Sequence, residues 1–220
     1  MAPKIRFPRE KVVEAALQVV REYGAESLTV RLVAAKLGAS SQPIFTHFPT
    51  MEALMKAVTD AAHEEYNHYI EPCFQKKTYQ KFFAINYIRF ASCEPNLFAL
   101  LFMQKCPERT LTDYLGAEGH YERIIEFFCE NEGLTRSQAE ILYRSLWMYL
   151  QGMASMQWSG GINYSEKDIL DLLVPAYRGM VLSVKIPVDQ HVQRMPQNGQ
   201  FLTKVPDYVS KFMKQNPEEI

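Results

Sequence analysis

Ser41, Gln42 and Thr46 gather hydrogen-bonding side chains of modest size into one short stretch, and none of them is the kind of group that breaks bonds. The hydroxyls donate or accept, and the glutamine amide does both at once. Behind them Ile44 and Phe48 are four residues apart, on one apolar face of a helix, with Phe45 beside them. Small polar groups in front of an apolar back suit recognition of a polar surface. No Gly-rich phosphate loop, nucleophile motif or constellation of carboxylates accompanies them. An enzyme is therefore not expected, nor a catalytic residue, a metal or a cofactor.

Two helices are needed to hold that stripe in place. Val30, Val33, Ala34 and Leu37 recur at helical spacing, with Thr29 before them as an N-cap. Gly38 stands where a helix commonly ends in a left-handed residue. Ser40 offers the next N-cap, and Pro43 falls in the first turn of the second helix, where its missing N–H does little harm. Thr29 to Phe48 thus reads as a helix-turn-helix, whose second helix enters a major groove at its N-terminal end. An ordinary corner between two helices fits the same pattern.

The flanking residues extend the unit. Val12, Ala16, Val19 and Tyr23 give the preceding helix its core stripe, starting at Pro8 and stopping at Gly24. A long helix follows from Thr50. Ala15-Ala16, Tyr23-Gly24, Leu28-Thr29-Val30, Val33-Ala34, Leu37-Gly38, Ser40, Phe45, His47-Phe48 and Glu52-Ala53-Leu54 together make the region resemble the TetR (tetracycline-repressor-like) family of transcriptional regulators. The motifs cover about the first quarter of the chain; the rest is similar in helical layout only.

That resemblance implies an all-α protein with a three-helix DNA-binding head at 1–50 and a helical ligand-binding and dimerisation body at 51–185. Residues 186–220 are left as a C-terminal extension. It implies a double-stranded operator as partner, and base-edge contacts from Ser41, Gln42 and Thr46, with Gln42 shaped to read adenine. Thr29 and His47 are expected on phosphate, with Arg31, Lys36, Ser40, Pro43 and Phe45 completing the DNA-facing set. The family usually has Tyr at the position of Phe45 and Lys at that of Met51. Losing a hydroxyl and a cation predicts a weaker hold on the DNA backbone, or compensation from Lys36, Arg31 or the N-terminal arm.

Charge agrees with such a division. Seven Lys and Arg against four Glu give residues 1–48 a charge of +3, and the net −1 leaves −4 for the remainder. Lys4, Arg6 and Arg9 form a basic arm that either tracks phosphate or is merely a solvated terminus. The chain has 220 residues, 47% hydrophobic and 22% charged, which is globular and neither disordered nor membrane-like. A cytoplasmic protein with no membrane partner follows. Cys73, Cys93, Cys106 and Cys129 form no CxxC pair and read as buried free thiols. His63 and His68 make no metal pattern.

In the body, helices are expected at Tyr79–Ala91, with Phe82, Phe83, Tyr87 and Phe90 as its bulk, at Leu97–Met103 and at Tyr121–Glu132. A further helix is capped by Thr135 and Gln138 and stops before Gly160. A last one opens at Ser165, and Pro175 should kink or divide it. Candidate lining for a pocket between the fifth and eighth helices is Phe83, Tyr87, Phe98, Phe102, Met103, Tyr121, Phe128, Trp147 and Met148. These would suit a small apolar or aromatic effector, although aromatics and Met at helical spacing are more often plain core. The helices at about 136–158 and 166–184 are apolar on more than one face, with Ile141, Ser145, Met148, Gly152 and Ser155 as one stripe. The resemblance implies that these two build a homodimer. Two functions follow: a ligand-responsive dimeric regulator, most naturally a repressor, or a helix-turn-helix protein whose body binds a protein or membrane-associated partner.

Overall fold

Local capping chemistry sets most of the helix ends. A computed structural model describes residues 7–75, 79–105, 110 and 119–185. Among the described residues there are nine α-helices and no strand. Helix α1 (Arg9–Tyr23) has Pro8 as its N-cap, one residue outside the helix, and ends at Gly24 with φ +85°. Helix α2 (Val30–Leu37) is capped by Thr29, whose hydroxyl accepts the Leu32 N–H at 3.3 Å. Gly38 follows at φ +61°, a conformation that glycine adopts without a Cβ penalty, and the last carbonyls of α2 take up the Gly38 and Ala39 N–H groups.

Helix α3 (Gln42–His47) departs from the expected cap. Ser41, not Ser40, holds the cap position, and its side chain makes no capping bond. The reason lies in the donors: Pro43 has no N–H, and the Ile44 and Phe45 N–H groups already reach the Ser41 carbonyl at 3.1 and 3.2 Å. Little remains for a side chain to satisfy. Helix α4 (Met51–Ile70) starts from Thr50, which accepts the Ala53 N–H.

The body continues with α5 (Tyr79–Cys93), α6 (Pro95–Phe102), α7 (Tyr121–Glu132), α8 (Arg136–Trp158) and α9 (Glu166–Lys185). Helix α6 begins two residues earlier than expected, because Pro95 is well suited to a first helical turn. The capping box of Thr135 and Gln138 forms at the start of α8. Helix α9 runs through Pro175 without a break. Pro175 lies on the exposed side, and Asp171, whose carbonyl its missing N–H cannot serve, is an exposed residue too. The stretch at 107–115 and the extension 186–220 lie outside the described residues, apart from Thr110.

Head and body share one continuous core within 1–185. Val12, Ala16, Val19 and Val20 of α1 are fully buried, and α1 packs against α2, α3, α4 and α6. Tyr23 is 56% exposed, contrary to its place in the expected stripe: Val20 takes the inner position and Tyr23 ends the helix beside Gly24. Phe82 likewise is 42% exposed, while Phe83, Tyr87 and Phe90 on the same helix are buried.

Candidate functional site

The polar stripe stands on the outer side of α3. Ile44 and Phe48 are buried and fasten the helix to the head, which leaves Ser40, Ser41, Gln42, Phe45 and Thr46 exposed. Pro43 and His47 are half-buried. The Thr46 hydroxyl donates to the Gln42 carbonyl at 2.8 Å, which fixes its rotamer while its oxygen stays open to an incoming donor. The Gln42 amide makes no hydrogen bond among the described residues and projects freely.

The charged and capping groups divide into two sets. Thr29 and Arg31 are exposed at the start of α2, and Arg31 has no ion-pair partner among the described residues. The Val30 and Arg31 N–H groups point out of that helix end, a setting that favours an anion. Lys36 is held otherwise. Its ammonium bonds Glu22 of α1 at 2.5 Å, which raises the lysine pKa and lowers that of the carboxyl. In the DNA-free chain it braces α2 on α1.

His47 also has a structural task. Its Nε2 lies 2.8 Å from the Phe7 carbonyl, which can only accept, so this nitrogen carries the proton and donates. The bond ties the start of the described chain to the end of α3. Beside it the Arg9 guanidinium sits 4.9 Å above the Phe48 ring. The last cation of the basic arm, Arg9, is thus placed next to α3. Met51, at the first position of α4, packs partly against the core.

The body candidates separate by depth. Tyr66, Tyr87, Phe90, Phe98, Phe102 and Trp147 form a cluster with ring centroids 5.1–6.2 Å apart. Phe83, Phe128 and Trp147 line a small apolar cavity together with Ile124, Tyr143, Leu146 and Leu150, which the sequence reading did not single out. Apolar residues at helical spacing, Tyr143 included, carry no mark that separates lining from core. The cavity encloses about 20 Å³, room for roughly one water molecule. Tyr121 is half-buried against Tyr143 at 5.1 Å. Met103 is 36% exposed beside Gln151 and Ser155. Met148 faces away from the cluster and is 44% exposed on the outer stripe of α8. It does not line the cavity, because Trp147 and Leu146 occupy the inward positions of that turn.

This geometry defines a helix-turn-helix head on an all-helical body. Residues 12–58 match the family described as bacterial regulatory proteins, tetR family. Over this head the chain is similar to the tetR family of bacterial regulatory proteins. The chain is similar to the class C tetracycline repressor protein of Escherichia coli, 34% identical over 56 residues, or 26% of each chain. To the class D protein of Escherichia coli it is 35% identical over 65 residues, which span 28% of this chain and 30% of that one. The match thus spans less than a third of the length of these relatives. Over the whole fold the chain is similar to a TetR-like transcriptional regulator from Rhodococcus sp. RHA1, with TM-score 0.57 and 17% identity, covering 80% of this chain and 98% of that one. A TetR variant from Acinetobacter baumannii AYE, solved in complex with minocycline, aligns with TM-score 0.53 and 18% identity over 81% and 97% of the two chains.

Proposed function

We propose that the protein is a dimeric transcriptional repressor that binds a palindromic operator and is released by a small apolar or aromatic molecule. The observation that carries this reading is the arrangement of α3: Ile44 and Phe48 are buried behind it and Ser41, Gln42 and Thr46 are exposed in front. Two such heads on a two-fold axis read two half-sites, with Ser41, Gln42 and Thr46 on base edges. Thr29, Arg31 and the N-terminal arm hold phosphate, and the protein acts where the DNA is, in the cytoplasm. Helices α8 and α9 supply the dimer interface, supported by the exposed stripe of Ile141, Ser145, Met148 and Gly152.

The effector enters the body between α5 and α8, where the aromatic cluster supplies the walls. An effector acts only through its different affinity for the two arrangements of the heads. One observation favours a second reading, in which the body serves a protein partner and not a small molecule. The cavity of about 20 Å³ is far below the roughly 300 Å³ of an ordinary ligand site, so an effector must open the cluster.

Selection of binding sites from random DNA by the purified protein, at fixed salt, tests the operator. Enrichment of a palindrome supports the repressor, and a screen for aromatic compounds that release the protein from that palindrome then separates the two readings. A folded protein that enriches no sequence overturns the operator-binding role.

A further inference from the structure

We infer that Phe45 is a specificity-determining residue that reads the C5-methyl group of a thymine next to the base met by Gln42. The inference rests on the operator-binding reading of α3.

Phe45 is 54% exposed on a six-residue helix whose other exposed side chains are polar. It lies three residues after Gln42, and so borders the same outward surface. Ile44 and Phe48 already fill the space behind α3, at 1% and 3% exposure, so the Phe45 ring is not needed to seal the core. No ring or cation partner covers it among the described residues, whereas the neighbouring Phe48 is capped by Arg9.

The ring has neither donor nor acceptor, so it cannot grip a phosphate or match the hydrogen-bonding edge of a base. In the major groove the one base feature that rewards an apolar side chain is the methyl group of thymine. Gln42 meets adenine on the same surface, so the two residues together select an A·T-containing step in each half-site. The Thr46 hydroxyl is turned back to the Gln42 carbonyl, which leaves its methyl to widen the apolar edge that Phe45 begins.

The test uses the palindrome obtained by selection, with each thymine replaced in turn by deoxyuridine, which deletes only the methyl. At one thymine per half-site the full-length protein should lose roughly fourfold in affinity, the worth of one methyl group taken from water. In Phe45→Ala that sensitivity should vanish, and in Phe45→Tyr, which keeps the ring, it should persist. Phe45 is exposed, so both variants should keep the parent melting temperature. A palindrome whose thymines all tolerate deoxyuridine, or whose sensitivity survives in Phe45→Ala, overturns the inference and leaves operator binding intact. Failure to enrich any palindrome overturns both.

Discussion

Arg21 and Glu94, 73 residues apart in sequence, are joined at 2.9 Å and fasten the last turn of α1 to the junction between α5 and α6. The same guanidinium reaches Glu65 of α4 at 3.1 Å, and the Arg21 carbonyl accepts the Asn96 amide at 2.9 Å. One cation thus separates two carboxylates of the body, Glu65 on α4 and Glu94 at the α5–α6 junction, and does so from a helix of the head. The clamp joins α4 and the start of α6 to α1, which itself packs against α3.

Arg21→Ala should therefore destabilise the fold by about 1–2 kcal/mol, more than an ordinary surface pair, because Glu65 and Glu94 are left facing each other. Glu94 is only 17% exposed at its side chain, which limits the screening water can offer. Arg21→Lys keeps the charge but loses the fork, and should fall between the two. Urea denaturation measures both, and an unchanged midpoint in Arg21→Ala would remove the clamp from the account.

Gln42→Ala should relax sequence preference at a single position in each half-site, by about 1–3 kcal/mol of discrimination. Affinity for DNA lacking the palindrome should hardly change, because base contacts and not phosphate contacts are lost. Competition between the selected operator and single-base variants at constant salt gives the comparison. Uniform weakening across all variants would show that Gln42 supports α3 and does not read it.

Met51→Lys should restore a backbone contact. Met51 opens α4 at the edge of the head, and a lysine there adds a cation facing phosphate at a small cost from the positive helix end. Affinity should rise at low salt. The slope of log affinity against log salt should steepen by about 0.9 for each phosphate gained. A slope equal to the parent would mean that position 51 does not face the DNA.

Much of this was legible in the sequence, for reasons that particular residues make plain. Thr29, Gly38, Thr50 and the Thr135–Gln138 box encode helix ends by local chemistry, and these ends lie where the residues predicted them. Ser40 misled because capping depends on which N–H groups are already paired, and Pro43 removes one. Lys36 on α2 and His47 on α3 have partners that the sequence does not mark: Glu22 and the Phe7 carbonyl lie 14 and 40 residues away, so only the fold reveals these bonds. Met148 and Trp147 are adjacent in sequence and point to opposite sides of α8. Helical periodicity gives the angle between them but not which side meets the core when both faces are apolar.

The protein should lose stability as pH falls below neutral, in part through His120. This imidazole is 8% exposed, bonds through Nε2 to the Asn67 side-chain Oδ1 at 3.1 Å, and stands 5.0 Å from the Phe74 ring. Burial lowers its pKa, Glu71 pulls the other way, and Arg123 lowers it further. A histidine with a depressed folded pKa binds its proton more readily when unfolded. Stability is therefore full above the unfolded value of about 6.5 and is lost as pH falls toward the folded pKa. His63 is shifted in the same direction by burial and adds to the slope. His120→Gln should flatten the dependence of melting temperature between pH 7.5 and 5.5, leaving the share due to His63. An unaltered slope would mean that His120 is as accessible to protons when folded as when unfolded.

Dimerisation through α8 and α9 can be tested by substitutions that the single chain tolerates. Ile141, Met148 and Met156 on α8 and Leu172 on α9 are 43–45% exposed, and Gly152 and Gly179 stand among them. A Cβ added at either glycine meets no atom within 4 Å in the single chain, so the space there is open until another surface fills it. Gly152→Leu should stabilise α8 itself, by about 1 kcal/mol from helix propensity. In the proposed dimer the same side chain would stand where a second helix comes close, and it should drive the protein to monomer. Met148→Glu should do so by placing a charge in the contact. Sedimentation velocity alongside thermal melts reads both effects together. A monomer with an intact or raised melting temperature supports the interface. A Gly152→Leu protein that remains a dimer places the two-fold axis on another face.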